Sequence, residues 1–235
     1  MKKLLIVLND LEHSGKSVLA RALSQHLTAN EVNNLLVTSN EEDMTETFAG
    51  EFWDLEDDFG LSQVITALDN HDAVVVDAHS GAARNWAEFC EEKEIESLLG
   101  ELEAEMTVVI PNTRSERCNE EITDLCELFA DQADYVVAHL PGDERYEVKW
   151  KSSPAEKATR YLGAQIVEMP GIPEALSTAL ESAGTTLPEA LNNSKKLSRF
   201  AEVEVDQWIE RASEALASAE DFIMPEALGS VALDY

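Results

Sequence analysis

The chain has 235 residues and a formal net charge of −30 at pH 7, because 47 acidic residues are set against 17 lysines and arginines. This length suits one main domain with room for an appendage. The negative charge disfavours non-specific DNA binding and attachment to anionic membranes, since both need basic patches. No apolar stretch has the length of a membrane span. Because Cys90, Cys118 and Cys126 lack metal-type spacing, we expect a cytoplasmic protein with reduced cysteines.

The first recognisable unit is an apolar run that ends in a Gly-Lys-Ser turn. Leu4 to Leu8 is typical of a strand buried on both faces of a parallel sheet, and the residues after Ser17 place leucines on one helical face. A strand, a loop and a helix in this order form a phosphate-binding loop, where backbone N–H groups and a helix N-terminus bind the anion. In the pattern G-x-x-x-x-G-K-[ST], Gly15, Lys16 and Ser17 match the last three positions. We expect Lys16 to reach the β- and γ-phosphates of ATP or ADP and the Ser17 hydroxyl to bind Mg²⁺.

The start of this loop departs from the pattern. Asp10 replaces the first glycine, and Glu12 adds a second carboxylate where phosphates are expected to lie. A carboxylate beside a triphosphate repels it. The sequence therefore predicts a phosphate-loop fold, and it leaves open whether Asp10 and Glu12 turn outward to solvent or inward over the phosphates.

Further apolar runs alternate with helical patterns along the chain. Strands are predicted at residues Asn34–Thr38, Val74–Val76, Met106–Ile110, Tyr135–Leu140 and Gln165–Met169. Helices are predicted at Leu61–Leu68, along the face formed by Ile122, Leu125, Cys126 and Phe129, and between Ser153 and Gly163, where Ser153 and Glu156 form a capping box. The acidic segment after Thr38 is expected to be a long loop, and Tyr146–Trp150 an edge strand or a hairpin arm. The alternation predicts a doubly wound, mostly parallel α/β sheet of the P-loop NTPase type.

The carboxyl-terminal part has a different character. We expect the P-loop domain to cover residues 1–190, an amphipathic helix to cover residues 191–223, and residues 224–235 to form a mobile tail. Ser194 is the expected cap of this helix, and its apolar stripe consists of Leu197, Ala201, Val205, Trp208, Ile209, Ala212 and Leu216. The stripe either packs back on the domain or forms a subunit interface.

A few polar residues are expected near the crevice at the carboxyl ends of the strands. Asp77 ends a buried strand, where a carboxylate can hold Mg²⁺ through water; a loop-shaping role is the alternative. His13 and His79 are expected near the same crevice. Arg114 and Arg117 follow another strand end, where they either reach a nucleotide or lie in solvent at a capped helix start.

With these elements placed, the chain resembles the ParA/MinD-type P-loop ATPases, whose loop pattern is N-x-K-G-G-x-G-K-[ST]. Asn9, Gly15, Lys16 and Ser17 match this pattern. Within that group the chain is most similar to the TraL-type proteins of conjugal transfer systems, through the segments T-F-A-G at 47–50, V-V-V-D at 74–77 and L-P-E-A-L at 187–191. The resemblance implies binding of ATP or ADP with Mg²⁺, a homodimer, and a protein partner in a transfer or partition system.

The same comparison shows where the chain departs from the family. Leu11 replaces the lysine that crosses to the other subunit's nucleotide, and Glu12 and His13 replace two glycines. Asn40 stands in place of an aspartate expected to assist hydrolysis, with Glu42 on the second aspartate of the motif. The leading hypothesis is a nucleotide-binding switch or assembly partner with weak ATPase activity at most. A pseudo-ATPase interaction module without nucleotide is the first alternative, and a small-molecule phosphotransferase with lid arginines is the second.

Overall fold

The computed structural model describes residues 1–40, 48, 50–141, 148–193 and 197–226. The centre of the fold is a sheet of seven strands. Their bounds are Lys2–Val7 (β1), Asn34–Thr38 (β2), Glu51–Phe52 (β3), Ala73–Asp77 (β4), Ala104–Asn112 (β5), Asp134–His139 (β6) and Gln165–Glu168 (β7).

Helices cover both faces of this sheet. They are Lys16–Ala29 (α1), Asp58–Ala67 (α2), Ala83–Glu92 (α3), Ile95–Glu101 (α4), Glu116–Phe129 (α5), Pro154–Tyr161 (α6), Glu174–Ala183 (α7), Leu187–Asn192 (α8), Arg199–Leu216 (α9) and Glu220–Ile223 (α10). Within the described residues, no helix is both long and apolar enough to cross a bilayer.

The strand order places the phosphate loop at the centre of the sheet. The order is β3-β2-β4-β1-β5-β6-β7, and every neighbouring pair is parallel. Strand β1 lies between β4 and β5, so the chain reverses its direction of winding there. The last residue of β1, Val7, is paired with Asp77 at the end of β4. A ligand crevice forms at such a switch point. The predicted doubly wound parallel sheet is confirmed.

The core consists of two apolar layers, one on each face of the sheet, because successive side chains of a strand point to opposite faces. In β1, Leu4 and Ile6 belong to the layer under α2 to α6, whereas Leu5 and Val7 belong to the layer under α1 and α7 to α10. Both sets are fully buried. The uninterrupted apolar runs of the sequence are therefore the strands that helices cover on both sides.

Two segments of the chain are organised differently from the expectation. The segment after Thr38 contains a short strand, β3, which pairs with β2; residues 41–47 and 49 lie outside the described residues. The predicted edge strand at Tyr146–Trp150 falls partly outside them as well, and its described part, residues 148–150, is not a strand. The Val148 N–H donates to the carbonyl of Arg114, and this is a contact between two loops.

Helix starts are partly as predicted. Ser153 caps α6 by accepting from the Glu156 N–H at 3.0 Å, but the reciprocal half of the capping box is absent because the Ser153 N–H donates to Trp150 and the Glu156 carboxylate pairs with Arg160. The long helix α9 is capped by Ser198 and not by Ser194, which lies outside the described residues. Ser198 is three residues before Ala201 in sequence, which is the spacing that lets an N-cap hydroxyl accept from a backbone N–H of the first helical turn.

The carboxyl-terminal part is helical, as predicted, and α9 packs back on the domain. Its buried residues are Ala201, Val205, Trp208, Ala212 and Leu216, and the last four of these share an apolar layer with Leu19, Leu23 and Leu27 of α1. This packing matches the first of the two alternatives for the stripe. The domain boundaries at 190 and 223 stay predictions, and residues 227–235 of the predicted tail lie outside the described residues.

Candidate functional site

The phosphate loop, residues 9–17, connects β1 to α1 through a tight backbone turn. Gly15 precedes the first helical residue, Lys16, and has a φ of +93°, in the left-handed region that favours glycine. A Cβ atom on Gly15 would lie 2.4 Å from Cδ1 of Leu140. Both the backbone conformation and the close approach of Leu140 therefore require glycine at this position.

Lys16 is folded onto its own loop. Its Nζ donates to the carbonyl of Asn9 at 2.6 Å, to the carbonyl of Leu11 at 3.1 Å and to the hydroxyl of Ser80 at 3.0 Å. Burial lowers the pKa of the Lys16 ammonium from its ordinary value of 10.5, and nearby carboxylates, with Asp77 first, oppose that shift. The result is a buried cation whose position is set by the loop that surrounds it.

Backbone donors of the loop line a large cavity. The N–H groups of residues 13–16 donate to no acceptor within the described part of the chain. The cavity has a volume of about 750 Å³, and its lining combines the phosphate loop, the end of β4 and helix α8, including His13, Ser14, Gly15, Lys16, Ser17, Asn40, Asp77, His79, Ser80, Glu189 and Asn192. Cavities of this size hold small-molecule ligands, and clustered backbone N–H groups at a helix start bind anions. The predicted residues Gly15, Lys16, Ser17 and Asp77 are thus brought together.

The two carboxylates of the loop lie in different surroundings. Asp10 turns to the start of α3, where its Oδ1 accepts from the Gly81 N–H at 2.9 Å and from the Ala83 N–H at 3.3 Å. Glu12 is exposed at the rim of the cavity. Asp10 therefore has a structural contact away from the phosphate loop, and Glu12 is the carboxylate that a bound phosphate would meet.

The backbone of Asp10 is held by a third carboxylate. Its N–H donates to Oε1 of Glu121 at 2.9 Å. Burial raises the pKa of the Glu121 carboxyl above its ordinary value, and the hydrogen bond from Asp10 opposes this shift. The start of the phosphate loop is consequently tied to α5 as well as to α3.

Asp77 has a cationic partner that belongs to the chain itself. Its Oδ2 lies 3.2 Å from Nη1 of Arg21, and these side chains are both 2% exposed. Arg21 also donates to the carbonyl of Ser17 at 2.9 Å and to Oδ1 of Asn192 at 3.1 Å. The carboxylate predicted to hold Mg²⁺ therefore forms a buried ion pair, and in the described residues no three His, Cys, Asp or Glu side chains are grouped as metal ligands.

The remaining predicted residues divide between the cavity and the outside. His13, His79 and Asn40 line the cavity, and His79 Nδ1 lies 2.9 Å from the Ser39 hydroxyl. Arg114 pairs with Glu168 on β7, and neither Arg114 nor Arg117 lines the cavity. Glu42 lies outside the described residues.

Sequence reasoning missed Arg21, Ser80 and helix α8 as parts of the site. Arg21 carried a usable signal, because it is a charged residue between Ala20 and Ala22 on the buried side of α1. Ser80 and Asn192 carried none, because solvent-exposed serines and asparagines have the same local sequence pattern. They reach the cavity only through the folding of distant segments.

Comparisons with known proteins find similarity only among solved structures. No family model and no curated protein matches it. Among solved structures it is similar to the MinD cell division protein of Aquifex aeolicus, with 15% identity, a TM-score of 0.47 and coverage of 97% of this chain and 99% of that chain. The MinC:MinD cell division protein complex of the same organism matches with 14% identity, a TM-score of 0.49 and coverage of 97% and 98%. Apo McdA of Cyanthece matches with 14% identity, a TM-score of 0.46 and coverage of 92% and 99%. Identities this low say nothing about ligand or activity, and the fold assignment rests on the strand order and the phosphate loop.

Proposed function

We propose that the chain binds the phosphate groups of ATP or ADP at the phosphate loop, with Gly15, Lys16 and Ser17 as the contacts. The observation that carries the proposal is the set of backbone N–H groups at residues 13–16 that have no protein acceptor in the described chain and lie beside the buried Lys16 ammonium. A phosphate group supplies acceptors to several such donors at once. The cavity of about 750 Å³ beside them leaves room for a nucleoside.

The biological role that we propose is that of a cytoplasmic switch or assembly partner of ParA/MinD type, active in a plasmid or conjugation process. Its support is the match of Asn9, Gly15, Lys16 and Ser17 to the pattern of that family. The proposed assembly is a homodimer with a further protein partner. Because Leu11 stands where the family has its cross-subunit lysine, we propose ATPase activity that is weak at most.

The metal roles of Ser17 and Asp77 stay a prediction. Both residues line the cavity, as a shared Mg²⁺ site would require. The Asp77 carboxylate, however, is already paired with Arg21 at 3.2 Å, and a divalent ion would have to displace or share that partner.

Isothermal titration calorimetry with ADP and ATP tests the nucleotide site. The Lys16→Ala variant is expected to lose detectable binding, because the loop then lacks its only lysine. Lys16→Met retains the length of the side chain without its charge and should also fail to bind, which separates lost charge from lost packing. Lys157→Ala changes an exposed lysine of α6 and should bind as the wild type does. Unchanged binding in both Lys16 variants would refute the proposal.

The second candidate function is an interaction module that keeps the fold without a ligand. It is favoured by two internal contacts, the Asp10 carboxylate on the Gly81 N–H and the Arg21 guanidinium on Asp77, which satisfy polar groups without nucleotide. Analytical ultracentrifugation with and without ADP distinguishes it, because such a module assembles identically in both. The phosphotransferase alternative lacks support, since Arg114 and Arg117 lie outside the cavity lining.

A further inference from the structure

We propose that Arg21 supplies the counter-charge to Asp77 that a divalent metal would supply at this phosphate loop, so that a nucleoside diphosphate binds here without a metal. The inference deepens the proposed nucleotide site and depends on it. It concerns a residue of helix α1 that the G-x-x-x-x-G-K-[ST] pattern leaves unspecified. The starting observation is the 3.2 Å ion pair between Nη1 of Arg21 and Oδ2 of Asp77.

The Arg21 guanidinium is held in place from several directions. Nη1 donates to the carbonyl of Ser17 one turn earlier in α1, and Nε donates to Oδ1 of Asn192 in α8. The ring of Phe48 lies on the guanidinium, with 5.2 Å between Cζ and the ring centroid. These contacts fix the guanidinium, so the ion pair with Asp77 is preorganised before a ligand binds.

Arg21 links the two elements that carry the predicted metal ligands. It contacts the Ser17 carbonyl at the start of α1 and the Asp77 carboxylate at the end of β4. Arg21 also lines the cavity, together with Lys16. With Asp77 paired to Arg21, the Lys16 ammonium and the loop N–H groups can bind a diphosphate without a metal to offset that carboxylate.

The ion pair also makes metal binding unfavourable. Asp77 is 1% exposed as a residue and Arg21 is 2% exposed, so a metal that bound the carboxylate would take from the guanidinium its buried ion-pair partner. Breaking a buried pair in this way is strongly unfavourable. The charge of a side chain, unlike that of a bound metal, is not removed by a chelator.

Isothermal titration calorimetry with ADP, in MgCl₂ and in EDTA, tests the inference on the full chain. For the wild type, the Kd should differ by less than about threefold between the two conditions. Arg21→Met should weaken binding in EDTA by about tenfold or more, because the Asp77 carboxylate then stands beside the phosphates without its guanidinium partner. Arg160→Met changes an arginine whose side chain is 72% exposed and should behave as the wild type does.

Since Arg21→Met leaves the Asp77 charge unpaired, the double variant Arg21→Met/Asp77→Asn is the second test. It replaces the ion pair by neutral groups of similar shape, an exchange that buried pairs tolerate, and it should bind ADP in EDTA within about threefold of the wild type. Wild-type binding in MgCl₂ alone overturns the inference and leaves the nucleotide site standing. Absence of ADP binding under both conditions overturns both. A double variant that binds as weakly in EDTA as Arg21→Met, or wild-type affinity of Arg21→Met itself, overturns the role of Arg21.

Discussion

The contact between Asp10 and the start of α3 predicts an unusual pair of effects for one substitution. Removing the Asp10 carboxylate should lower stability, because the Gly81 and Ala83 N–H groups lose their acceptor. The same change should strengthen phosphate binding, because one negative charge disappears from the phosphate loop. A substitution that merely damages the loop would weaken both.

The size of the stability loss follows from the geometry. The Gly81 hydrogen bond is short, at 2.9 Å, but Gly81 is exposed, whereas the Ala83 bond is long, at 3.3 Å, and buried. A bond to a charged acceptor contributes about 1.5–3 kcal/mol, and a carboxylate at a helix start adds about 0.3–1 kcal/mol. With water replacing part of the Gly81 bond, Asp10→Ala should cost about 2 kcal/mol. Asp10→Asn retains an oxygen acceptor and should cost about 1 kcal/mol.

Urea unfolding and hydrogen exchange measure this effect. For a chain of this size, about 2 kcal/mol corresponds to a fall of about 4–8 °C in Tm, and amide exchange at Gly81 and Ala83 should accelerate. Glu12→Ala removes an exposed carboxylate of the same loop and should change stability by less than about 0.5 kcal/mol. Equal stability losses for Asp10→Ala and Glu12→Ala, or unchanged exchange at both amides, would refute the reasoning.

Three further substitutions test other parts of the site and the fold. Gly15→Ala should destabilise the fold by about 2 kcal/mol in urea unfolding and abolish ADP binding, because the +93° φ and the Leu140 contact both oppose a Cβ; wild-type stability would contradict this. Ser198→Ala should cost about 1 kcal/mol through the lost cap of α9, and a loss below about 0.3 kcal/mol would count against that cap. Hydrogen bonds from the Thr186 N–H and from the Thr185 hydroxyl lower the pKa of the Glu189 carboxyl below its ordinary 4.5. The contribution of this carboxylate to folding stability is therefore present above pH 4.5 and is lost as the pH falls through the lower pKa of the folded state. Glu189→Gln should therefore be less stable than the wild type at pH 7, with the difference closing in acid; a constant difference across that range would refute the assignment.

The parts of the fold that the sequence predicts well are those fixed by local pattern. Strands β1 and β4 are built on uninterrupted apolar runs, and burial on both faces of the sheet is the reason for this pattern. Strand β3 escaped prediction because Glu51–Phe52 is too short for an alternating pattern, and it exists only through its pairing with β2. Gly15, Lys16 and Ser17 line the same cavity as Asp77, and their own positions follow locally from a strand, a turn and a helix.

The charges of the site were not predictable in the same way. The acceptor for the Gly81 N–H lies 71 positions away in sequence, and the partner of Asp77 lies 56 positions away. Such pairs depend on which strands become neighbours, and the apolar pattern of each strand says little about that. The orientation of Asp10, which the sequence left open, is therefore a property of the folded chain alone.

These long-range contacts reduce the repulsion that a bound phosphate would meet. By sequence, the carboxylates of Asp10, Glu12 and Asp77 oppose one lysine of the loop. In the fold, Asp77 is neutralised by Arg21, and Asp10 lies against the positive end of α3. Glu12 and Glu189 remain as carboxylates at the cavity, and because Glu12 is exposed, solvent and salt screen it over about 8 Å at physiological ionic strength. The lining thus combines the cations Lys16 and Arg21 with the carboxylates of Glu12, Asp77 and Glu189, a far smaller imbalance than the net charge of −30 on the whole chain, and Arg21 is the residue on which that balance depends most.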